Sequence, residues 1–200
     1  MYVIGLTGKA CAGKNQVASV FEEKGFLVID VDKLGHIALE DKKAEIVKVF
    51  GESILSDGAI DRKKLGNIVF SSKKQLRLLE KIVHPYIKEL CVNIIKKSDK
   101  NVIINAAILQ RGKLVELCSN VIFVKASFFT RYKRAKKRDK RGFIWVLKRE
   151  LAQRDINIRS LKQKIKVYVI LNKKTKREIC RQIDNYCDIF NKEKENIYKM

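Results

Sequence analysis

Proline occurs once in the 200 residues, and no glycine- or serine-rich linker, internal repeat or low-complexity tract interrupts them. That argues against two units on a tether. With 46% hydrophobic residues, the expectation is one globular unit with a core of its own. Long apolar runs are also missing: none approaches the roughly 18–20 residues needed to cross a bilayer. The opening MYVIGLTGKACAG lacks the basic start and long apolar stretch of a secretory signal. The expected setting is the cytoplasm, with no membrane partner. Cysteine pairing signals are absent too. Cys11, Cys91, Cys118, Cys180 and Cys187 are odd in number, include no CxxC and stand at no zinc-like spacing to the two histidines, so reduced thiols are expected.

Acidic residues are scarce relative to basic ones. Asp and Glu number 22 against 44 Lys and Arg, a formal charge of +22 that attracts phosphate-rich partners without saying which. The densest basic cluster is RYKRAKKRDKRG, Arg131 to Gly142. It reads as a nucleic-acid patch, as a cation-rich lid over a nucleotide, or as a solvated helical face.

What is present begins at YVIGLTGKACAGKNQ. Gly8, four residues, Gly13 and Lys14 make GxxxxGK, with Asn15 where such loops place Ser or Thr. The apolar run Tyr2 to Leu6 reads as a buried strand. NQVASVFEEKG reads as a helix ending near Gly25, with Val17, Val20 and Phe21 on one side. A loop between these elements presents backbone N–H groups and a helix N-terminus to phosphates, and Lys14 would reach the β- and γ-phosphates. Asn15 lacks the hydroxyl that normally ligates Mg²⁺. Its carbonyl oxygen would ligate the ion directly, act through water, or fail to do so.

FLVIDVD reads as a second strand ending in Asp30 and Asp32, which share a face if the chain stays extended. From Lys42 to Lys97 the pattern is mainly helical, punctuated by SDG at Ser56 to Gly58 and by His84–Pro85. Further strands are expected at NVIINAAI, NVIFVKA and VYVIL, with a basic helical region from about Phe128 to Lys164 and a last helix from Lys174 to about Phe190. Strands alternating with helices imply an α/β fold with a parallel sheet. At the strand end, Asp32 suits the acceptance of a proton from an attacking hydroxyl. Asp30 is open between supporting magnesium, through water, and capping the following helix.

Taken together, IGLTGKACAGKNQVASVFEEKGFLVIDVDKLGH, FGESILSDGAIDRKKLGNIVF, LEKIVHPYI and YVILN make the chain resemble the dephospho-CoA kinase family of P-loop kinases over nearly its whole length. The resemblance implies a P-loop nucleotide-kinase fold: a parallel sheet of about five strands with helices on both faces, a helical substrate domain and a basic lid. Within a single unit, residues 1–32, 100–126 and 166–190 would form the nucleotide core, 33–99 the CoA-side domain and 127–165 the lid. The implied reaction moves the ATP γ-phosphate to the ribose 3′-hydroxyl of dephospho-CoA, with ATP and Mg²⁺ required and dephospho-CoA as partner.

By position, Gly8, Cys11, Ala12, Gly13, Lys14, Asn15 and Gln16 would bind the ATP phosphates, and Asp32 would be the base, facing substrate with His36. Lys14 and Arg138 would stabilise the transferring group, with Arg134 one turn before Arg138. His84 is either substrate-side or simply packed, and Asn172 is either next to the adenine or a turn residue. The chain departs from the family pattern at Lys9, Ala10, Ala12, Asn15 and Gln16. It also departs at AAILQ, where Gln110 replaces a glutamate, and in the lack of an acid ahead of the fifth strand. An active kinase with altered metal contacts and a kinase-like binder that transfers poorly therefore both remain open. So do another P-loop small-molecule kinase and a basic nucleic-acid-binding protein, the last without any recognition motif.

Overall fold

A computed structural model describes residues 1–107, 109–110, 112–139, 143–153, 156–163, 165–173 and 175–198. Five strands form one sheet: β1 (Val3–Thr7), β2 (Leu27–Asp30), β5 (Val102–Asn105), β6 (Asn120–Lys125) and β7 (Val167–Leu171). Their order is β2-β5-β1-β6-β7 and every pairing is parallel. β1 is buried at all five positions, as a central strand covered on both faces must be.

The two faces carry separate apolar clusters. One packs β1 and β6 under α1 (Lys14–Glu23) and α9 (Lys176–Tyr198), through Ile4, Leu6, Val17, Phe21, Ile103, Ile122, Ile179 and Ile183. The other packs Ile29, Val102 and Ile104 against the inserted helices α2 (Val31–Asp41), α3 (Lys43–Phe50), α4 (Arg62–Ser71) and α5 (Lys73–Lys96). Along β5 the side chains alternate: Val102 and Ile104 go to the insert, Ile103 to α1. Beyond β6 come α6 (Phe128–Asp139), α7 (Phe143–Ala152) and α8 (Ile158–Lys162). Among the described residues no helix is long and apolar enough to cross a membrane.

Three expectations need correction. The second strand stops at Asp30, not Asp32, because the Asp30 carboxylate turns the chain into a helix by accepting from Asp32 N at 3.0 Å and Lys33 N at 3.4 Å. His84–Pro85 does not interrupt the insert; α5 runs through it from Lys73 to Lys96. A proline inside a helix costs about 3 kcal/mol, whereas burying side chains such as Val83 and Ile87 gains about 1.5–3 kcal/mol each. Finally, SDG is the turn of a two-stranded hairpin, β3 (Leu55–Ser56) with β4 (Ala59–Ile60), made by Asp57 and Gly58 at φ 49° and 76°.

Candidate active site

The loop from Gly8 to Gly13 joins β1 to α1 at the carboxyl edge of the sheet, where open α/β folds place ligands. Two glycines are obligatory there. A Cβ on Gly8 would sit 2.4 Å from the Val124 carbonyl oxygen, and one on Gly13, whose φ is 90°, would sit 2.2 Å from Asn172 Nδ2. Side chains cap α2 (Asp30), α4 (Asp61), α5 (Ser72) and α8 (Asn157), whereas α1, like α3, has no side-chain cap, its N-cap position being Gly13. Its first-turn N–H groups and dipole thus face the loop, the arrangement that binds phosphate. Lys14 folds back over the loop, with Nζ 3.3 Å from the Gly8 carbonyl oxygen.

The far side of the loop is braced from β7 and α6. Asn172 is fully buried and donates to the Ala12 carbonyl at 3.0 Å and to Gln16 Oε1 at 3.2 Å. Arg134 donates to Asn172 Oδ1 at 2.8 Å and to the Ala12 carbonyl at 2.9 Å. Burial pushes the Arg134 guanidinium below its ordinary value. A second set of contacts comes from α7 and the turn after it. Lys9 Nζ bonds Glu150 Oε1, Arg131 Nη2 bonds Glu150 Oε2 at 2.6 Å, and Ala10 N donates to Gln153 Oε1 at 2.8 Å. Burial opposes ionisation of Glu150, yet the hydrogen bonds from Lys9 and Arg131 together hold its carboxyl below the usual glutamate range. A cavity of about 350 Å³ lies here, between Lys9 and Ala12 of the loop, the end of β6 and Ile156–Ile158.

Two strands away, Asp30 caps α2 and Asp32 lies exposed in the first helical turn. His36, one turn on and on the same side of α2, is 2.7 Å from Arg62 Nη1. Arg62 opens α4, whose cap Asp61 accepts from Lys63 N and Lys64 N. Those backbone bonds, Lys64 first, hold the Asp61 carboxyl below its ordinary value. Asn15 Oδ1 accepts from Asn105 Nδ2 at 3.0 Å, and Asn105 Oδ1 is buried with no protein partner among the described residues.

Asn15, Asn105, Asp30 and Asp32 offer oxygen donors only, which suits a hard divalent cation. Among the described residues no cluster of three His, Cys, Asp or Glu forms a cage for a metal.

Not every expected residue joins this group. His84 lines a separate cavity of about 540 Å³ with Arg77, Lys81, Lys88 and Lys113, and neither Asp32 nor the phosphate loop contributes to its walls. Arg138 belongs to α6, but its side chain lies outside the described residues. Gln110 donates to Ser160 Oγ at 3.2 Å. Sequence reasoning missed Arg62, Asn105, Glu150 and Gln153. The DR pair after the SDG turn flags Arg62, and the polar end of the apolar run VIIN flags Asn105; nothing local flags Glu150 or Gln153.

The family model for dephospho-CoA kinase matches residues 2–178. A dephospho-CoA kinase of Fusobacterium nucleatum is 34% identical over 196 residues, covering 93% of this chain and 97% of that protein. One of Borrelia garinii is 42% identical over 127 residues, and that match spans only 62% of either protein's length. A solved dephospho-CoA kinase from Campylobacter jejuni superposes with a TM-score of 0.69 at 25% identity, covering 96% of this chain and 98% of the other.

Proposed function

The chain belongs to the dephospho-CoA kinase family, and from that premise we propose that it transfers the γ-phosphate of ATP to the ribose 3′-hydroxyl of dephospho-CoA, releasing ADP and CoA. The observation that carries this reading is the pairing of an uncapped phosphate loop with an aspartate freed for chemistry. Asp30 takes over the capping of α2, which leaves the Asp32 carboxylate exposed at the carboxyl edge of the same sheet.

Asp32 accepts the 3′-hydroxyl proton as that oxygen bonds the γ-phosphorus, while the bond from the γ-phosphorus to the β,γ-bridging oxygen breaks and ADP leaves. Lys14 holds the β- and γ-phosphates against the first-turn N–H groups of α1 and stabilises charge as it moves between them. Arg138, on the lid helix, adds a planar cation to the transferring group. Gly8 and Cys11 to Gln16 form the cradle. Asn172 acts on the nucleotide through the loop it holds, since its own side chain is taken up by Ala12, Gln16 and Arg134. His36, tied to Arg62, contacts a phosphate of dephospho-CoA. His84 serves the substrate side from its own basic cavity. Mg²⁺, when bound, screens the charge of the β- and γ-phosphates, and Asn15 and Asp30 are the residues that would hold it.

The test is formation of CoA by the purified protein with ATP, Mg²⁺ and dephospho-CoA. Lys14→Ala and Asp32→Ala should each lower kcat/KM by about 100-fold or more. Product from the intact chain at an undiminished rate in both variants would sink this assignment.

A further inference from the structure

Asn105 is 5% exposed, and its Oδ1 is the buried side-chain oxygen left without a protein partner among the described residues. Burying that oxygen costs desolvation that an apolar residue of similar size would avoid. Its position identifies its neighbours. Strand alternation turns Asn105, like Ile103, to the α1 face, and its Nδ2 reaches the Asn15 side chain at the start of α1. Asp30 is its register partner on β2 and shares that face, since Val28, two residues earlier, packs on the α1 side. The Asn15 and Asn105 side chains therefore meet where the phosphate loop passes the end of β5, and Asp30 stands beside Asn105 at the neighbouring strand end.

We propose that Asn15 and Asn105 form a paired-amide site for the Mg²⁺ that accompanies the nucleotide, with Asn105 Oδ1 as its fixed acceptor and Asn15 as the ligand on the loop. The proposal rests on the ATP-dependent reading above. A carboxylate at position 105 would face Asp30, with Asp32 close by in the chain, and need a cation to be tolerated; a neutral amide avoids that repulsion. Mg²⁺ keeps several waters and takes much of its negative charge from phosphate oxygens, so neutral protein oxygens suffice to position it. The hydrogen bond from Asn105 Nδ2 holds Asn15 in orientation, as second-sphere partners of metal ligands do. In this chain the hydroxyl missing from the loop is thus compensated by an amide supplied from β5.

Mn²⁺ titrated into the intact protein with ADP, with free Mn²⁺ read by electron paramagnetic resonance, tests this without turnover. Asn105→Leu should weaken Mn²⁺ binding in the ADP complex by about tenfold, leave ADP affinity in EDTA within about twofold and not lower the melting temperature. Asn105→Asp should strengthen Mn²⁺ binding by about tenfold and gain a Mn²⁺-dependent rise in melting temperature larger than that of the parent chain. Unchanged Mn²⁺ binding in Asn105→Leu overturns the proposal. So does an equal loss of ADP affinity in EDTA, which would mean that Asn105 only shapes the loop. If Asn105→Leu does not fold, Asn105→Asp decides: no gain in Mn²⁺ affinity overturns the proposal. CoA formation assayed alongside separates the two readings, since a chain that makes no CoA yet shows these metal effects keeps the site and loses the kinase assignment.

Discussion

Gly13 is where the phosphate loop tolerates least. Any side chain there adopts a left-handed backbone and meets the Asn172 amide at 2.2 Å. Gly13→Ala should lower unfolding stability by about 1–2 kcal/mol from backbone strain alone, seen as a drop in the denaturant midpoint, and should weaken ATP binding as Asn172 is pushed off the Ala12 carbonyl. Gly8, Gly13 and Lys14 are legible from spacing because the loop's chemistry lies within seven consecutive residues. Asp30 is only half legible: the same residue type ends a strand, caps a helix and approaches a metal, and only its bonds to Asp32 N and Lys33 N show the cap. Asn105 carries no local signal beyond its place at a strand end. Its importance emerges from a register with β2 and a contact with Asn15, 90 residues away in sequence.

Elements with a clear apolar period read well. The five sheet strands fall where short buried runs predict them, and α1 and α9 follow the positions that pack their shared cluster. The hairpin β3–β4 hides within a helical insert because two residues per strand are too few to establish alternation. α5 passes through Pro85 because long-range burial outweighs a local penalty. The docking of α7 on the phosphate loop is likewise a tertiary matter, resting on Lys9, Arg131 and Glu150.

The folded carboxyl of Glu150 lies below its ordinary value, so its contribution is present above the unfolded pKa, about 4.3, and is lost as pH falls through the folded value. Glu150→Gln should therefore melt lower than the parent chain at pH 7 and release α7 to proteolysis. That difference should shrink as the pH is taken down through and below the ordinary glutamate range. A difference of the same size at every pH would assign Glu150 a packing role instead.

At the scale of the whole molecule, the formal charge is +22, and the proposed reaction would bring it two polyanionic substrates, ATP and dephospho-CoA. Capture of both should be electrostatically assisted, so kcat/KM should fall steadily as NaCl rises past about 0.1 M, where the screening length is about 10 Å. An effect on kcat alone would place the salt sensitivity in chemistry or product release instead. Composition signals this charge but not its use; the parallel sheet, the phosphate loop and the family match direct it toward a nucleotide.

The most direct measurement is ³¹P NMR of the products formed from ATP, Mg²⁺ and dephospho-CoA by the intact protein and by Asp32→Asn. The kinase reading predicts a new 3′-phosphomonoester resonance matched by ADP for the intact chain, and almost none for Asp32→Asn although that variant still binds ATP. Bound ATP with no 3′-phosphate formed by the intact protein, or Asp32→Asn turning over at the parent rate, would contradict it.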